Sequence, residues 1–224
     1  MNFVYFMNYL ILNLFIIIIK SSIIVEEIFN SIDEHNLLCD DILNFYGTSN
    51  LNVYKISENG ITINVNSQLK RTQYQISNPN HLCSKHIYYS SSSRNEKLLI
   101  ELNNAQNLYG LFRNSTAIYI EIKSGNFEEY DNYIIMFGLC QNLISIDLSN
   151  FSFKKAIKIY SFFHSCSNLE EIIWPTNKEN SLIEIPAHMF TGCSKLTSID
   201  LSFFDFSKVT YMINFFLIII IWKK

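Results

Sequence analysis

His81, Cys83 and His86 put three side chains able to ligate a transition metal within six residues. A structural zinc site needs a fourth ligand, ordinarily from a second pair at similarly short spacing. No such pair stands in the chain, and the trio adjoins the turn sequence Asn78-Pro79-Asn80, so a polar loop accounts for it and no metal site is expected. His35, His164 and His188 are scattered, and no His–carboxylate–nucleophile set can be assembled from sequence position. Phosphate-loop, dinucleotide-binding and nucleophile-elbow strings are lacking. These residues predict a non-enzyme without a cofactor.

The five cysteines are an odd number, so at least one lies outside any intrachain pair. Three of them recur in one context: Met136-Phe137-Gly138-Leu139-Cys140, Phe162-Phe163-His164-Ser165-Cys166 and Met189-Phe190-Thr191-Gly192-Cys193, whose starts lie 26 and 27 residues apart. Each string leads into an apolar one, such as Asn142-Leu143-Ile144-Ser145-Ile146-Asp147-Leu148 or Lys195-Leu196-Thr197-Ser198-Ile199-Asp200-Leu201. A period of 20–29 residues around an L-x-x-L-x-L core is the pattern of a leucine-rich repeat, whose units stack to bury a common core. Side chains in a stacked column run parallel, so Cys140, Cys166 and Cys193 read as buried free thiols acting as small hydrophobes. Cys39 and Cys83 precede the repeats and are left as a candidate disulfide in an oxidising compartment.

The same alternation nominates a binding face. With Leu143, Ile146 and Leu148 inward, Ser145 and Asp147 face outward. Carried through the units, one outward row holds Glu101, Glu121, Asp147, Ile173 and Asp200, and its neighbour holds Leu99, Tyr119, Ser145, Glu171 and Ser198. The candidate partner-binding residues are therefore Glu101, Glu121, Ser145, Asp147, Glu171, Ser198 and Asp200. An acidic stripe attracts a basic partner or a cation; the competing reading is a solvated face that keeps the sheet soluble.

The elements that must position this face follow from the pattern. Leu99-Ile100-Glu101-Leu102 and Tyr119-Ile120-Glu121-Ile122 fit the same string, so the repeats are expected over 98–216. The fold class expected is mainly β: a parallel leucine-rich-repeat solenoid of about four to five units with an N-terminal α+β flank at 26–97. Within that flank, Ile28, Ile32, Cys39, Ile42 and Tyr46 predict one or two amphipathic helices. Glu58-Asn59-Gly60 predicts a hairpin between 51–56 and 61–65, 69–76 a third strand, and 90–97 a loop.

Apolar content of 49% against 17% charged residues is enough for a core, and a net charge of -3 without a basic cluster argues against nucleic acid. Residues 3–19 carry no charge. As a helix they would reach about 25 Å, just under the roughly 30 Å hydrocarbon core. Residues 1–25 are therefore read as a signal peptide or a membrane anchor, the alternative being an accident of an Ile-rich composition. The hydrophobic tail at 217–224, ending in Lys223-Lys224, is read as the remnant of a cut repeat. Asn114-Ser115-Thr116 and Asn150-Phe151-Ser152 are glycosylation sequons that fit a secreted chain.

The stretch from Met189 to Phe216, Met-Phe-Thr-Gly-Cys-Ser-Lys-Leu-Thr-Ser-Ile-Asp-Leu-Ser-Phe-Phe-Asp-Phe-Ser-Lys-Val-Thr-Tyr-Met-Ile-Asn-Phe-Phe, closely resembles the repeat of BspA-type leucine-rich repeat surface proteins. Residues 136–163 are similar, whereas 1–97 match no family. The resemblance implies a noncatalytic protein, on the cell surface or secreted, that mediates adhesion or binds a protein or cell-surface ligand. Two rivals stand beside it: an intracellular repeat scaffold, and a truncated repeat-gene fragment without retained function.

Overall fold

A computed structural model describes residues 22–31, 34–39, 50–60, 62–73, 85–91, 94–103, 108–176 and 183–216. Strand β1 (Ser22–Phe29) is built by alternation, with Ile23, Val25 and Phe29 buried and Ile24, Glu26 and Ile28 on the opposite face. The amphipathic helices expected from residue 26 are replaced by β1 and β2 (Glu34–Cys39) where the chain is described. Glu27 explains the misreading: it occupies an inward position of β1, so a buried charge hides the strand's period of two.

The hairpin forms as its Asn-Gly turn implies. β3 (Asn50–Ile56) pairs antiparallel with β4 (Thr62–Asn64), and Gly60 takes φ +75° in the turn. β5 (Leu69–Gln73) and β6 (Lys85–Ser90) join β2 in a separate three-stranded sheet, ordered β2-β6-β5. The larger sheet adds β7 (Glu96–Asn103), β8 (Tyr119–Ser124), β9 (Ser145–Asp147) and β10 (Glu171–Ile173), in the order β10-β9-β8-β1-β7-β3-β4.

That order overturns the parallel leucine-rich-repeat solenoid. β7, expected to open the stack, runs antiparallel between β1 and β3, and β1 separates it from β8. Among the described strands only β8, β9 and β10 pair in parallel, with single parallel bridges linking Asn132, Lys158 and Ile185 elsewhere. Residues 196–200, which should supply the next strand, form none. The result is a mixed seven-stranded sheet rather than a closed coil. Among its described residues the N-terminal region forms strands plus one 3-10 turn at Asn66–Gln68 and no α-helix, in place of the α+β flank expected. The repeat pattern misled because it reports local spacing, whereas β1 enters from a distant part of the sequence.

The periodicity does build regular turns on the far side of the core. The Phe112, Phe137, Phe163 and Phe190 N–H groups donate to the carbonyls of Met136, Phe162, Met189 and Phe215 at 2.9–3.1 Å. Phe112, Phe137, Phe163 and Phe190 stack in sequence, with centroids 5.4–5.9 Å apart and interplanar angles of 8–19°. In the strand columns, Leu143, Leu169 and Ile146 are sealed, but Leu196, Ile172 and Ile199 are only partly buried. Packing loosens towards the C-terminal side.

Each turn carries two residues in the left-handed region, four apart: Gly110 and Asn114, Ile135 and Leu139, Ser161 and Ser165, His188 and Gly192. For β-branched Ile135 this conformation is especially unfavourable. A Cβ added at Gly192, where φ is +83°, would meet the Ser165 Cα at 2.9 Å, a backbone contact that no rotamer change relieves. Gly192→Ala is expected to cost at least about 1–2 kcal/mol from the left-handed backbone alone. An unchanged urea midpoint would show that this turn adapts.

Candidate functional site

On β8, Ile120 and Ile122 are buried, which leaves Tyr119 and Glu121 on the outer face. The parallel register then aligns Tyr119 with Ser145 and Glu171, and Glu121 with Asp147 and Ile173. On the other side of β8, Glu121 faces Glu26 of β1. Three carboxylates, Glu26, Glu121 and Asp147, thus form one row across three strands spaced about 4.8 Å apart.

This row carries its own counter-charges. The Lys123 ammonium lies 2.7 Å from Glu121 Oε2 and 3.4 Å from Glu26 Oε2, and Lys97 lies 4.0 Å from Glu26 Oε1. The Tyr119 hydroxyl donates to Glu121 Oε2 at 3.4 Å. Burial, reinforced by the charges of Glu121, Asp147 and Glu26, pushes the Tyr119 phenol up to about 12. Asp147 accepts the Ser149 N–H at 2.8 Å, which anchors the turn leaving β9. Three carboxylates against two ammonium groups leave a mild excess of negative charge, and partly exposed pairs of this kind hold each other weakly.

The remaining sequence candidates are dispersed. Glu101 lies on β7, with β1 between it and β8; its register partners are Ile24 and Asn52, and Asn52 Nδ2 and the Tyr54 hydroxyl donate to it at 3.3 and 3.4 Å. Ser198 and Asp200 are exposed beyond the last strand, and Asp200 accepts the Ser202 N–H. The two expected five-residue rows are therefore interrupted at both ends. Glu26, the acid that completes the row, was missed because its segment read as helical. The alternation Ile23, Val25, Phe29 was the available signal.

A second buried feature runs behind this face. The Cys140, Cys166 and Cys193 thiols donate to the carbonyls of Phe112, Phe137 and Phe163, each at 3.1 Å. Ser115 occupies the equivalent place in the first turn, and its hydroxyl donates instead to Glu27 Oε1 at 3.0 Å. Among the described residues, Glu27 thus takes the acceptor place at the first turn that a carbonyl holds in the later ones. Burial raises the Cys166 thiol, assisted by its neighbours Cys140 and Cys193, and pushes Cys193 up to about 12. All three are free and buried, so peptide mapping after alkylation of the folded protein is expected to find them unmodified until denaturant is added. Rapid native labelling of Cys166 would contradict this packing.

Among the described residues no group of three or more His, Cys, Asp or Glu side chains could hold a metal ion. His81 and Cys83 lie outside the described residues, as do residues 3–19 and 217–224; His86 stands on β6, opposite Cys39 and Thr72, with its side chain not described, and the Cys39–Cys83 pairing cannot be placed on described side chains. No described helix is long and apolar enough to cross a membrane. Comparison with protein-family models, curated proteins and solved structures gives no match.

Proposed function

We propose that this protein is a noncatalytic binding protein, displayed on a cell surface or secreted, which presents the outer face of β8, β9 and β10 to a protein or cell-surface ligand. The observation that carries this reading is the row Glu26, Glu121 and Asp147, which ends at Ile173, an outward-facing apolar residue 40% exposed. A mildly acidic row beside exposed apolar surface suits a basic partner with some hydrophobic character. The sequence resemblance of 189–216 to BspA-type surface proteins supports the location and the absence of catalysis, independently of the solenoid it implied.

Glu26, Glu121 and Asp147 changed together to Gln, Gln and Asn are expected to slow association with a basic polypeptide such as polylysine. The difference from the native chain should shrink as salt rises, because exposed charges are screened within about 8–10 Å at physiological ionic strength. Equal association rates at low salt would leave the row as a solvated face only. Staining of an epitope-tagged copy in intact and permeabilised cells tests the location; signal only after permeabilisation would favour an intracellular scaffold.

A further inference from the structure

The fold treats the two sequons of the chain in opposite ways. Asn114 ends the first turn in the left-handed region, at φ +62°. Its neighbours Leu111, Phe112, Arg113 and Ser115 are buried, whereas Asn114 is exposed. The backbone around it is held on both sides. Its N–H donates to Gly138 O at 2.8 Å, its carbonyl accepts from Asn36 Nδ2, and Thr116 Oγ1 accepts the Asn36 N–H at 3.0 Å. Among the described residues its own side-chain amide makes no hydrogen bond.

Asn150 is engaged differently. Its Nδ2, the atom that would carry a glycan, donates to Ile122 O at 3.1 Å, back across the step from β9 to β8. This is a recurring device of the stack. Asn142 Nδ2 reaches Thr116 O at 3.5 Å, Asn168 Nδ2 reaches Gln141 O at 2.6 Å and Ser194 Oγ reaches Ser167 O at 3.0 Å, so that all four bonds span 26–28 residues. Phe151, which follows Asn150, is 2% exposed, and its ring packs 4.2 Å from that of Phe127, which pins the backbone beside the amide. The place of Asn114 explains its freedom. Asn114, Leu139, Ser165 and Gly192 are the second left-handed residues of successive turns. The column is tight further along, where a Cβ at Gly192 would meet the Ser165 Cα at 2.9 Å. Asn114 opens the column, and among the described residues no turn precedes it.

We propose that Asn114 carries an N-linked glycan in the folded, exported protein and that Asn150 stays unmodified. The reaction joins Asn114 Nδ2 to the anomeric carbon of an oligosaccharide carried on a lipid diphosphate. The C–N bond forms, the bond from the anomeric carbon to the phosphate oxygen breaks, one amide proton is lost and the lipid diphosphate leaves, with no change of oxidation state. The modifying enzyme meets the extended nascent chain, in which both sequons are open, so the fold decides which glycan can be kept. A glycan on Asn150 Nδ2 competes with the bond to Ile122 O and crowds the step between two layers, whereas one on Asn114 costs no hydrogen bond. The assignment rests on the surface or secreted location proposed above, and it concerns the first turn rather than the outer sheet face.

The test produces the full-length chain in eukaryotic cells in two forms, with its own N-terminus and behind an added cleavable secretion signal. Exported and cell-retained material is treated with peptide-N-glycosidase in heavy-oxygen water, which leaves each formerly glycosylated asparagine as labelled aspartate for peptide mapping. The exported chain is expected to be labelled at Asn114 and not at Asn150. Its glycosidase-sensitive electrophoretic shift should vanish in Asn114→Asp and persist in Asn150→Asp. Aspartate tolerates the left-handed turn, and should Asn114→Asp still fail to fold, mapping of the native chain decides. Label at Asn150, or an unlabelled Asn114, in exported chain overturns the assignment. Label at Asn114 only in the chain with the added signal leaves the assignment standing and overturns the location. If neither form is exported, occupancy of Asn114 in the retained signal-bearing chain decides in the same way.

Discussion

Phe153→Ala is expected to lower the free energy of unfolding by about 3–5 kcal/mol, the range for emptying a sealed aromatic site. Phe153 is fully buried. Its ring meets those of Phe151, Phe162, Trp174, Phe203 and Phe204 at centroid distances of 4.6–6.0 Å, mostly edge to face. Phe203 and Phe204 come from a layer without a regular strand, so Phe153 fastens that loosely built part to the sheet. Removing it opens a cavity and unseats Trp174 together, which makes tryptophan fluorescence in a urea titration the suitable readout. A loss below about 1 kcal/mol would show that the neighbouring rings close over the gap.

The second large effect is a pH dependence set by Glu27. Burial holds its carboxyl well above the ordinary 4.5, against the smaller opposing effect of the Ser115 hydroxyl. Between 4.5 and that raised value the folded chain holds a proton that the unfolded chain has released. Stability from this group is therefore fully present below 4.5 and declines as pH rises, by up to about 1.4 kcal/mol per pH unit until the folded-state carboxyl also ionises. Glu27→Gln keeps a neutral group of the same shape beside Ser115. It is expected to remove this decline and to stabilise the protein at pH 7. Stability curves for the two chains that run parallel from pH 5 to 8 would show that Glu27 titrates normally.

Parts of this structure are legible in the sequence, and the reasons differ by element. The Glu58-Asn59-Gly60 hairpin, the pairing of residues 119–121 with 145–147 and that of 145–147 with 171–173 follow from local turn chemistry and a repeated apolar string. Those pairings correctly aligned Glu121 with Asp147, and Ser145 with Glu171. The place of β1 was not legible, because no nearby residue specifies that 22–29 inserts between two strands formed far downstream. Glu27 concealed it further by putting a carboxyl at an inward position. Arg113 was equally hidden: a single arginine in a turn reads as exposed, and its burial appears only when the turns stack around it. The outer ends of the acidic rows failed because the expected register was extended across β1 at one end and past β10 at the other.

The insertion of β1 also orders events during synthesis. Its two neighbours in the sheet are residues 96–103 and 119–124, so the first described strand leaves the ribosome long before either partner exists. Until then its apolar face, Ile23, Val25 and Phe29, has neither neighbouring strand to pair with. Contacts this distant in sequence are closed late and slowly. The large sheet therefore cannot grow one turn at a time from the N-terminus. It must wait for the middle of the chain, and a nascent polypeptide halted before residue 96 would display β1 as an open invitation to chaperones or to other unfinished copies.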